Sequence, residues 1–444
     1  MKHIVIIGNG ISGITAARHV RKLSNHRLTV ISAESDHFYS RTALMYIYMG
    51  HMKYEHTKPY EDGFWEKNRI ELRRAWVKTV DTDGKKLIFD DASSLSYDVL
   101  VIATGSKPNT FGWPGENLTG VQGLYGLQDL ERMEANTQNI QRAVIVGGGL
   151  IGIEMAEMLL SRKIDVTFLV REKLFWGSVL PPEESQIVGR HAREHHVDLR
   201  LDTQLKEILP DADGRARAVV TTGDEEIPCQ FVGLTVGVSP NVGFLRHSTI
   251  ELGRGVLVNE YFETNVPDVY AIGDCVEYRQ PPPGRKKIEQ IWYTGRIHGE
   301  TLAQTLTGKR TAYQPGVFFN SAKFFDIEYQ TYGMVNSRLL EGESSFYWEH
   351  PSGKICLRIN YKKEGRQVTG FNAFGLRLRH ATCEKWIREK RTLEYVLEHL
   401  PEANFDPEFF RRHEKHILAE YNQRDPEKML VPKARKGLFQ RLFS

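Results

Sequence analysis

The stretch Lys2-His3-Ile4-Val5-Ile6-Ile7-Gly8-Asn9-Gly10-Ile11-Ser12-Gly13 decides the fold. Its first half is a short apolar strand. Its second half is Gly-x-Gly-x-x-Gly, opening a helical stretch over Ile14–Leu23 and then a β-branched strand over Leu28–Ile31. Strand, glycine turn, helix, strand is the context in which such glycines seat a pyrophosphate on a helix N-terminus. One occurrence alone is a weak signal. The pattern recurs 139 residues on: Ala143–Val146 feeds Gly147-Gly148-Gly149-Leu150-Ile151-Gly152, a helix over Ile153–Ser161 and a strand over Val166–Val170. Two copies in the same context predict an α/β chain with two Rossmann-like dinucleotide-binding domains.

The copies differ where they would read a ribose. The first ends in Glu34, 21 residues after Gly13, where an acid accepts hydrogen bonds from a 2′-hydroxyl. The second carries Val170-Arg171-Glu172 instead, so the two sites take different dinucleotides. A guanidinium at Arg171 can pair with a 2′-phosphate, which favours NADPH. The adjacent Glu172 keeps NADH open.

The chain has 444 residues, enough for two or three domains at roughly 150 each. It is 41% hydrophobic and 26% charged, which excludes a disordered, collagen-like or disulfide-scaffold protein. Fifty-nine Lys and Arg against 56 Asp and Glu leave +3, so no overall nucleic-acid field exists. No apolar run reaches the ~18–20 residues of a spanning helix. The N-terminal stretch runs straight into its glycine loop and lacks a cleavable signal pattern. The expected location is therefore cytoplasmic, with a membrane-peripheral variant left open by the C-terminus. Four cysteines, 229, 275, 356 and 383, are widely spread and form no C-x-x-C, so neither a zinc ribbon nor a local redox dithiol is expected.

Further apolar runs complete the first part. Tyr97–Ile102 reads as a buried strand ending in the turn Ala103-Thr104-Gly105-Ser106, and Asp268–Ile272 ends in Gly273-Asp274. From Val317 onward, short alternating strands appear at 318–325, 344–349, 354–360 and 367–371. A polar helical region follows from Ala381 to about Asn422, giving a separate α+β domain. The expected boundaries are 1–112 and 249–312 for the two parts of the first dinucleotide domain, 113–248 for the second, 313–425 for the α+β domain and 426–444 for a tail. In that tail Lys433, Arg435, Lys436 and Arg441 alternate with Leu438, Phe439, Leu442 and Phe443. Such a basic amphipathic segment would make at most a weak membrane-surface contact.

Taken together these elements resemble the flavoproteins of the pyridine nucleotide-disulfide oxidoreductase family, with a glutathione reductase-like fold. The marks are Gly8–Gly13 with Glu34, Ala103–Ser106, Gly147–Gly152 with Glu154, Gly237-x-x-Pro240-Asn241, and Thr264–Asp274. Tyr39-Ser40-Arg41 followed by Leu44 resembles the FAD-contacting Arg segment of the thiol-free branch, which holds ferredoxin and rubredoxin reductases and the flavin portion of nitrite reductases. Phe318–Asp326 is more like the third domain of coenzyme A disulfide reductases.

The resemblance implies roles. Gly8, Gly10, Gly13 and Glu34 would hold the ADP half of FAD, with Arg41 and Ala103-Thr104-Gly105 beside it. Val77 would touch the adenine. Asp274 would accept the ribityl hydroxyls, and Trp292 would lie near the isoalloxazine. A helix starting near Gly295 would stabilise reduced flavin through its N-terminus. Gly147, Gly149, Gly152, Arg171 and Gly237 would line the nicotinamide nucleotide site. Glu154 and Trp292 are the candidate catalytic residues. Two departures stand out. No cysteine lies in Arg41–Tyr46, and Tyr46 stands where a Lys often pairs with the acid equivalent to Glu154.

The resulting expectation is an enzyme, an FAD-dependent NAD(P)H oxidoreductase without a redox-active cysteine. Its acceptor would be a small iron–sulfur or rubredoxin-type carrier, with Arg285-Lys286-Lys287 as a candidate basic rim. A membrane-peripheral NAD(P)H:quinone reductase and a non-enzymatic FAD-binding redox sensor remain the alternatives, and a homodimer is left open. No metal site is expected: Glu194-His195-His196 reads as a solvated helix end, and His380 with Glu384 as a helix-face pair.

Overall fold

The computed structural model of the chain describes residues 1–405 and 411–433. They fall into two compact units. The first comprises Met1–Leu169 with Thr203–Pro315, the second Val170–Asp202 with the residues from Gly316 onward.

Both expected repeats are present in the first unit. Strand His3–Ile7 leads through the glycine turn into helix Ile11–Leu23 and then strand Arg27–Ser32. The sheet is fully parallel, in the order 269–271, 99–102, 3–7, 27–32, 70–74. Val5 stands opposite Thr29 on one side and Leu100 on the other. Strands covered on both faces read as continuous apolar runs, and Ile4, Val5, Ile6, Leu100, Val101 and Ile102 are all fully buried. The second copy runs Arg142–Val146, helix Leu150–Ser161 and strand Asp165–Leu169, paired in parallel on the other side with Phe231–Leu234.

Each helix starts three residues before its sequence reading, at Ile11 and at Leu150. The glycines at 10 and 149 are the helix N-caps. The third glycine of each motif therefore sits inside the helix and lets it close on the strand.

In the second unit five antiparallel strands run in the order 319–324, 327–333, 368–374, 356–362, 343–349. The sequence reading missed Ile327–Gly333. The turn before it is Phe325-Asp326, which carries no Gly or Asn to mark a hairpin, and Phe325 takes φ 55°. The expected polar helical region is broken into His380–Arg388, Leu393–Glu398, Leu400–Ala403 and Glu414–Arg424. Lys390 at φ 53° ends the first, Thr392 caps the second by accepting from the Tyr395 amide, and Pro401 starts the third. The tail residues Arg435, Lys436, Leu438, Phe439, Arg441, Leu442 and Phe443 lie outside the described residues. Lys433 pairs with Glu398 at 2.7 Å. No helix among the described residues is long and apolar enough to cross a membrane.

A buried ion pair ties helix Pro182–Glu194 to this sheet. Arg358 donates to both oxygens of Glu184, at 2.7 and 2.9 Å, and to Glu183 at 2.7 Å. Glu184 is fully buried. Removing the arginine would leave a carboxylate without its partner in the interior, a cost of about 3–5 kcal/mol. Arg358→Ala should therefore lower the unfolding midpoint of the full chain far more than Arg190→Ala. Arg190 is about half exposed and pairs with the partly exposed Glu349, and such pairs contribute about 0–1 kcal/mol. Equal midpoints for the two variants in a urea titration would contradict this assignment.

Candidate functional site

A cavity of about 1060 Å³ opens in the first unit. Its wall runs from the glycine turn at Gly8–Gly10 past Glu34 and Val77 to Asp274 and Trp292. The turn is built for backbone approach. Gly8 has φ +117°, and a Cβ there would meet the Ala103 carbonyl oxygen at 2.1 Å. Gly147 repeats this at φ +110°, against Thr235 O at 2.6 Å. Gly10 is different. Its φ is −70°, ordinary for any residue, and a Cβ would meet no protein atom within 4 Å. Neither conformation nor packing within the chain requires glycine there. The space in front of it belongs to the cavity. Gly149, at φ −125° with nothing within 4 Å, has the same character.

The helices that follow carry no side-chain cap and no acid in the first turn. The first amides of such a helix have no intrahelical acceptor, and beside an open glycine they can take an anion. Helix Trp292–Leu306 likewise lacks a cap and an early acid. It begins three residues earlier than expected from Gly295, so Trp292 is its first residue rather than a loop residue before it.

Glu34 is rigidly held. Arg41 binds it bidentately, at 2.9 Å to Oε1 and 2.6 Å to Oε2, the Leu127 amide donates to Oε1 at 2.9 Å, and the Tyr39 hydroxyl donates to the same oxygen. Burial alone would raise its pKa; the charge and hydrogen bonds of Arg41 outweigh that and hold the carboxyl below the usual range. Oε2 carries one of these bonds and keeps acceptor capacity for a hydroxyl. Arg41 also donates to Tyr125 O at 2.7 Å and lies 4.5 Å over the Tyr125 ring.

Asp274 sits in a short turn, Gly273–Cys275. Ser106 and Tyr125 each approach its Oδ2 at 3.3 Å. Both hydroxyls already accept elsewhere, Ser106 from Gln290 at 2.7 Å and Tyr125 from the Ser106 amide at 2.9 Å. Their hydrogens are therefore directed at Asp274. Among the described residues Oδ1 has no hydrogen-bond partner, and the residue lines the cavity. Burial pushes its carboxyl up to about 6. His298 positions this turn from behind. Its Nδ1 accepts from the Gly273 amide at 3.1 Å and its Nε2 meets the Tyr278 hydroxyl at 2.7 Å. Burial lowers its pKa to about 3, so it is a neutral ring that donates from Nε2.

Glu154 lines the same cavity. Burial, with Glu157 nearby, pushes its carboxyl up to about 7. Among the described residues no cation or hydrogen-bond donor holds its side chain. Tyr46 stacks on His51.

Val77, Ala103, Thr104 and Gly105 also line the wall. Gly13 and Gly152 lie inside their helices, and Gly237 stands at φ +88° near Asn109. Arg171, in the second unit, is largely exposed and donates to Glu172 at 3.1 Å. The basic-rim reading needs a correction. Arg285 is buried and paired bidentately with buried Glu289, at 2.5 and 2.7 Å. Only Lys286 and Lys287 of that triplet are exposed. His380 and Glu384 do face each other, at 3.7 Å.

All four cysteines are buried, and none lines the cavity. Cys275 is fully buried, its thiol directed at the carbonyls of Ile272 and Ile102 at 3.2 and 3.5 Å. It points away from the cavity because it ends a tight turn, not because a strand alternates there. Burial pushes its thiol up to about 11 and that of Cys229 to about 12. A redox thiol needs the reverse.

Sequence reasoning did not find Tyr125, His298 or Gln290. Tyr39 and Ser106 each stood within a quoted motif without a role of its own. Tyr125 and His298 reach the site from distant segments and carry no local pattern, so no signal in one sequence would have singled them out.

With this geometry in place, comparison with known proteins defines the class. Residues 2–297 match the pyridine nucleotide-disulphide oxidoreductase family, and the chain belongs to it. Nitrite reductase [NAD(P)H] of Bacillus subtilis (strain 168) is 28% identical over 381 residues, covering 84% of this chain and 46% of that one. The chain thus spans about half the length of that relative. Rubredoxin-NAD(+) reductase of Acinetobacter baylyi is 29% identical over 321 residues, covering 70% of this chain and 80% of the relative. The crystal structure of a ferredoxin reductase from Rhodopseudomonas palustris superposes with a TM-score of 0.77 at 22% identity, covering 90% of this chain and 94% of that one. That likeness concerns the fold.

Proposed function

We propose that the cavity of the first unit binds FAD and that the enzyme draws hydride from NADH or NADPH, passing electrons to a small iron–sulfur or rubredoxin-type carrier. The observation that carries the reading is Gly10. It is a glycine that neither backbone nor packing demands, capping an uncapped helix on the wall of a dinucleotide-sized cavity.

Bound FAD would supply the redox chemistry, taking up a hydride and releasing it as electrons. The chain does the rest. The amides after Gly10 hold the pyrophosphate. Glu34 Oε2 takes a ribose hydroxyl, its direction fixed by Arg41. Asp274 Oδ1 takes a ribityl hydroxyl, its carboxylate oriented by Ser106 and Tyr125. Glu154, poised near neutrality, holds a proton at its carboxyl on the cavity wall. Trp292 shields that end of the cavity from water. No thiol is poised to relay electrons, in keeping with an acceptor that takes them from the flavin directly. The names of the rubredoxin and ferredoxin reductase relatives support a small protein as that acceptor. Exposed Lys286 and Lys287 are the part of the basic loop available to meet it.

The test is direct. The purified chain should carry FAD released by denaturation, and anaerobic NADH or NADPH should bleach it. A colourless protein that binds no added FAD would refute the assignment.

Nucleotide choice is proposed to rest on Arg171, which favours NADPH. Arg171→Glu removes a phosphate partner and adds a ribose acceptor. The ratio of kcat/KM for NADPH over NADH should fall by tenfold or more, about 1.4 kcal/mol. If the unaltered enzyme already prefers NADH, Glu172 is the ribose acceptor instead.

A further inference from the structure

The strongest cluster outside the flavin cavity lies in the second unit. Helix Pro182–Glu194 presents His191, and its C-cap is His195, four residues on and on the same face. Asp326 comes from the hairpin turn between strands 319–324 and 327–333. The Nε2 atoms of both histidines converge on the same oxygen, Asp326 Oδ1. His191 contacts it directly and His195 lies 3.2 Å away. One ligand-type atom from each residue lies within 4.8 Å of the other two.

The sequence reading of this helix end grouped His195 with His196. The fold groups it with His191 instead. His196 is exposed and lies past the helix at φ 62°.

Two further features hold the triad in place. His191 is 1% exposed, and its Nδ1 faces Glu194 Oε2 at 3.3 Å. That oxygen also pairs with Lys354 at 3.2 Å, and as an acceptor for the Nδ1 hydrogen it would leave the Nε2 lone pair for an ion beside Asp326. Metal-binding histidines are oriented in this way. Phe325 stacks flat on His195, at 4.4 Å and 8° between planes. It does so from the left-handed backbone region, φ 55°, which is unfavourable for a bulky residue. The strained turn delivers Asp326 and fixes the His195 ring together.

We propose that His191, His195 and Asp326 bind a divalent cation of the zinc class. Two imidazoles and one carboxylate suit zinc and its late first-row neighbours, whereas magnesium and calcium prefer oxygen alone. Three protein ligands leave the fourth tetrahedral position for water. Asp326 and His195 are 63% and 39% exposed, which gives the ion a path from solvent. The ion would pin the helix to the hairpin turn.

The test uses the full chain, treated with chelator and desalted, titrated with zinc chloride in a calorimeter. The melting temperature is followed in parallel. One zinc per chain is expected, with a higher melting temperature. His195→Ala and Asp326→Asn remove ligands at exposed positions and should each weaken binding at least tenfold and abolish the thermal shift. Glu194→Gln should weaken it by about 10–100-fold, because it only orients His191. Far-ultraviolet circular dichroism checks that the variants are folded. Absence of zinc binding by the unaltered chain would overturn the proposal. So would zinc binding of equal affinity in the His195→Ala and Asp326→Asn variants, which would place the ion elsewhere. The readouts do not depend on flavin content.

Discussion

Gly8→Val and Gly10→Val, two residues apart, should fail in different ways. At Gly8 the φ of +117° is strained for a β-branched residue, and the new Cβ would meet the backbone of Ala103, its oxygen at 2.1 Å and its carbon at 2.7 Å. Ala103 directly follows the neighbouring interior strand 99–102, and its backbone cannot retreat without disturbing the parallel sheet. The Gly8 variant should therefore express as insoluble or unfolded chain. At Gly10 the backbone is ordinary and the side chain meets no protein atom. That variant should fold, with the circular dichroism and melting temperature of flavin-stripped unaltered protein. Its isopropyl group would occupy the space in which a pyrophosphate approaches the helix amides, so FAD affinity should fall by a hundredfold or more, about 2.7 kcal/mol. Stoichiometric flavin in the Gly10 variant would remove the observation on which the site rests.

Asp274→Asn should lose most of its flavin while stabilising the flavin-free chain. The carboxyl is half-buried in the cavity wall and raised from 3.8 to about 6. Between those values the folded chain keeps a proton that the unfolded chain has released. Ionised Asp274 thus opposes folding, fully above about pH 6 and not at all below about pH 3.8. Two pH units correspond to roughly 3 kcal/mol as an upper bound. Urea unfolding of the flavin-stripped proteins at pH 7.5 should favour the Asn variant, and the gain should shrink as pH falls below 6. Flavin binding should move the other way, because the amide oxygen is a weaker acceptor for a ribityl hydroxyl than the carboxylate Oδ1. A residue retained only for structure would not carry this opposition. Loss of stability in the Asn variant at pH 7.5 would contradict it.

The parts that were legible in the sequence are those in which one residue type answers one local constraint. Gly8 and Gly147 need positive φ and a close strand, and both stand in apolar βαβ runs, so both dinucleotide units could be read directly. The absence of a thiol at Arg41–Tyr46 was equally plain. What escaped depends on chain segments meeting in space. Tyr125 reaches Asp274 from 149 positions away and His298 reaches the adjoining Gly273 from 25, and neither has a motif. The hairpin strand Ile327–Gly333 escaped because a Phe, not a Gly, takes the left-handed turn position. The burial of Arg285 escaped for a related reason. A basic triplet on a proline loop reads as solvated, and only the fold brings Glu289 under its first member. The pairing of His191 with His195 was legible as a four-residue spacing, yet its carboxylate is 131 residues from His195.

The central claim is that electrons leave the flavin without a cysteine relay. A chain in which Cys229, Cys275, Cys356 and Cys383 are all replaced by Ala tests it most directly. Under anaerobic stopped flow, NAD(P)H should reduce its FAD, and steady-state reduction of ferricyanide should stay within about tenfold of the unaltered enzyme, ~1.4 kcal/mol in barrier. The unaltered enzyme should also leave glutathione and coenzyme A disulfides untouched. Flavin reduction that persists while ferricyanide turnover collapses, or disulfide reduction sensitive to thiol blockers, would contradict the account.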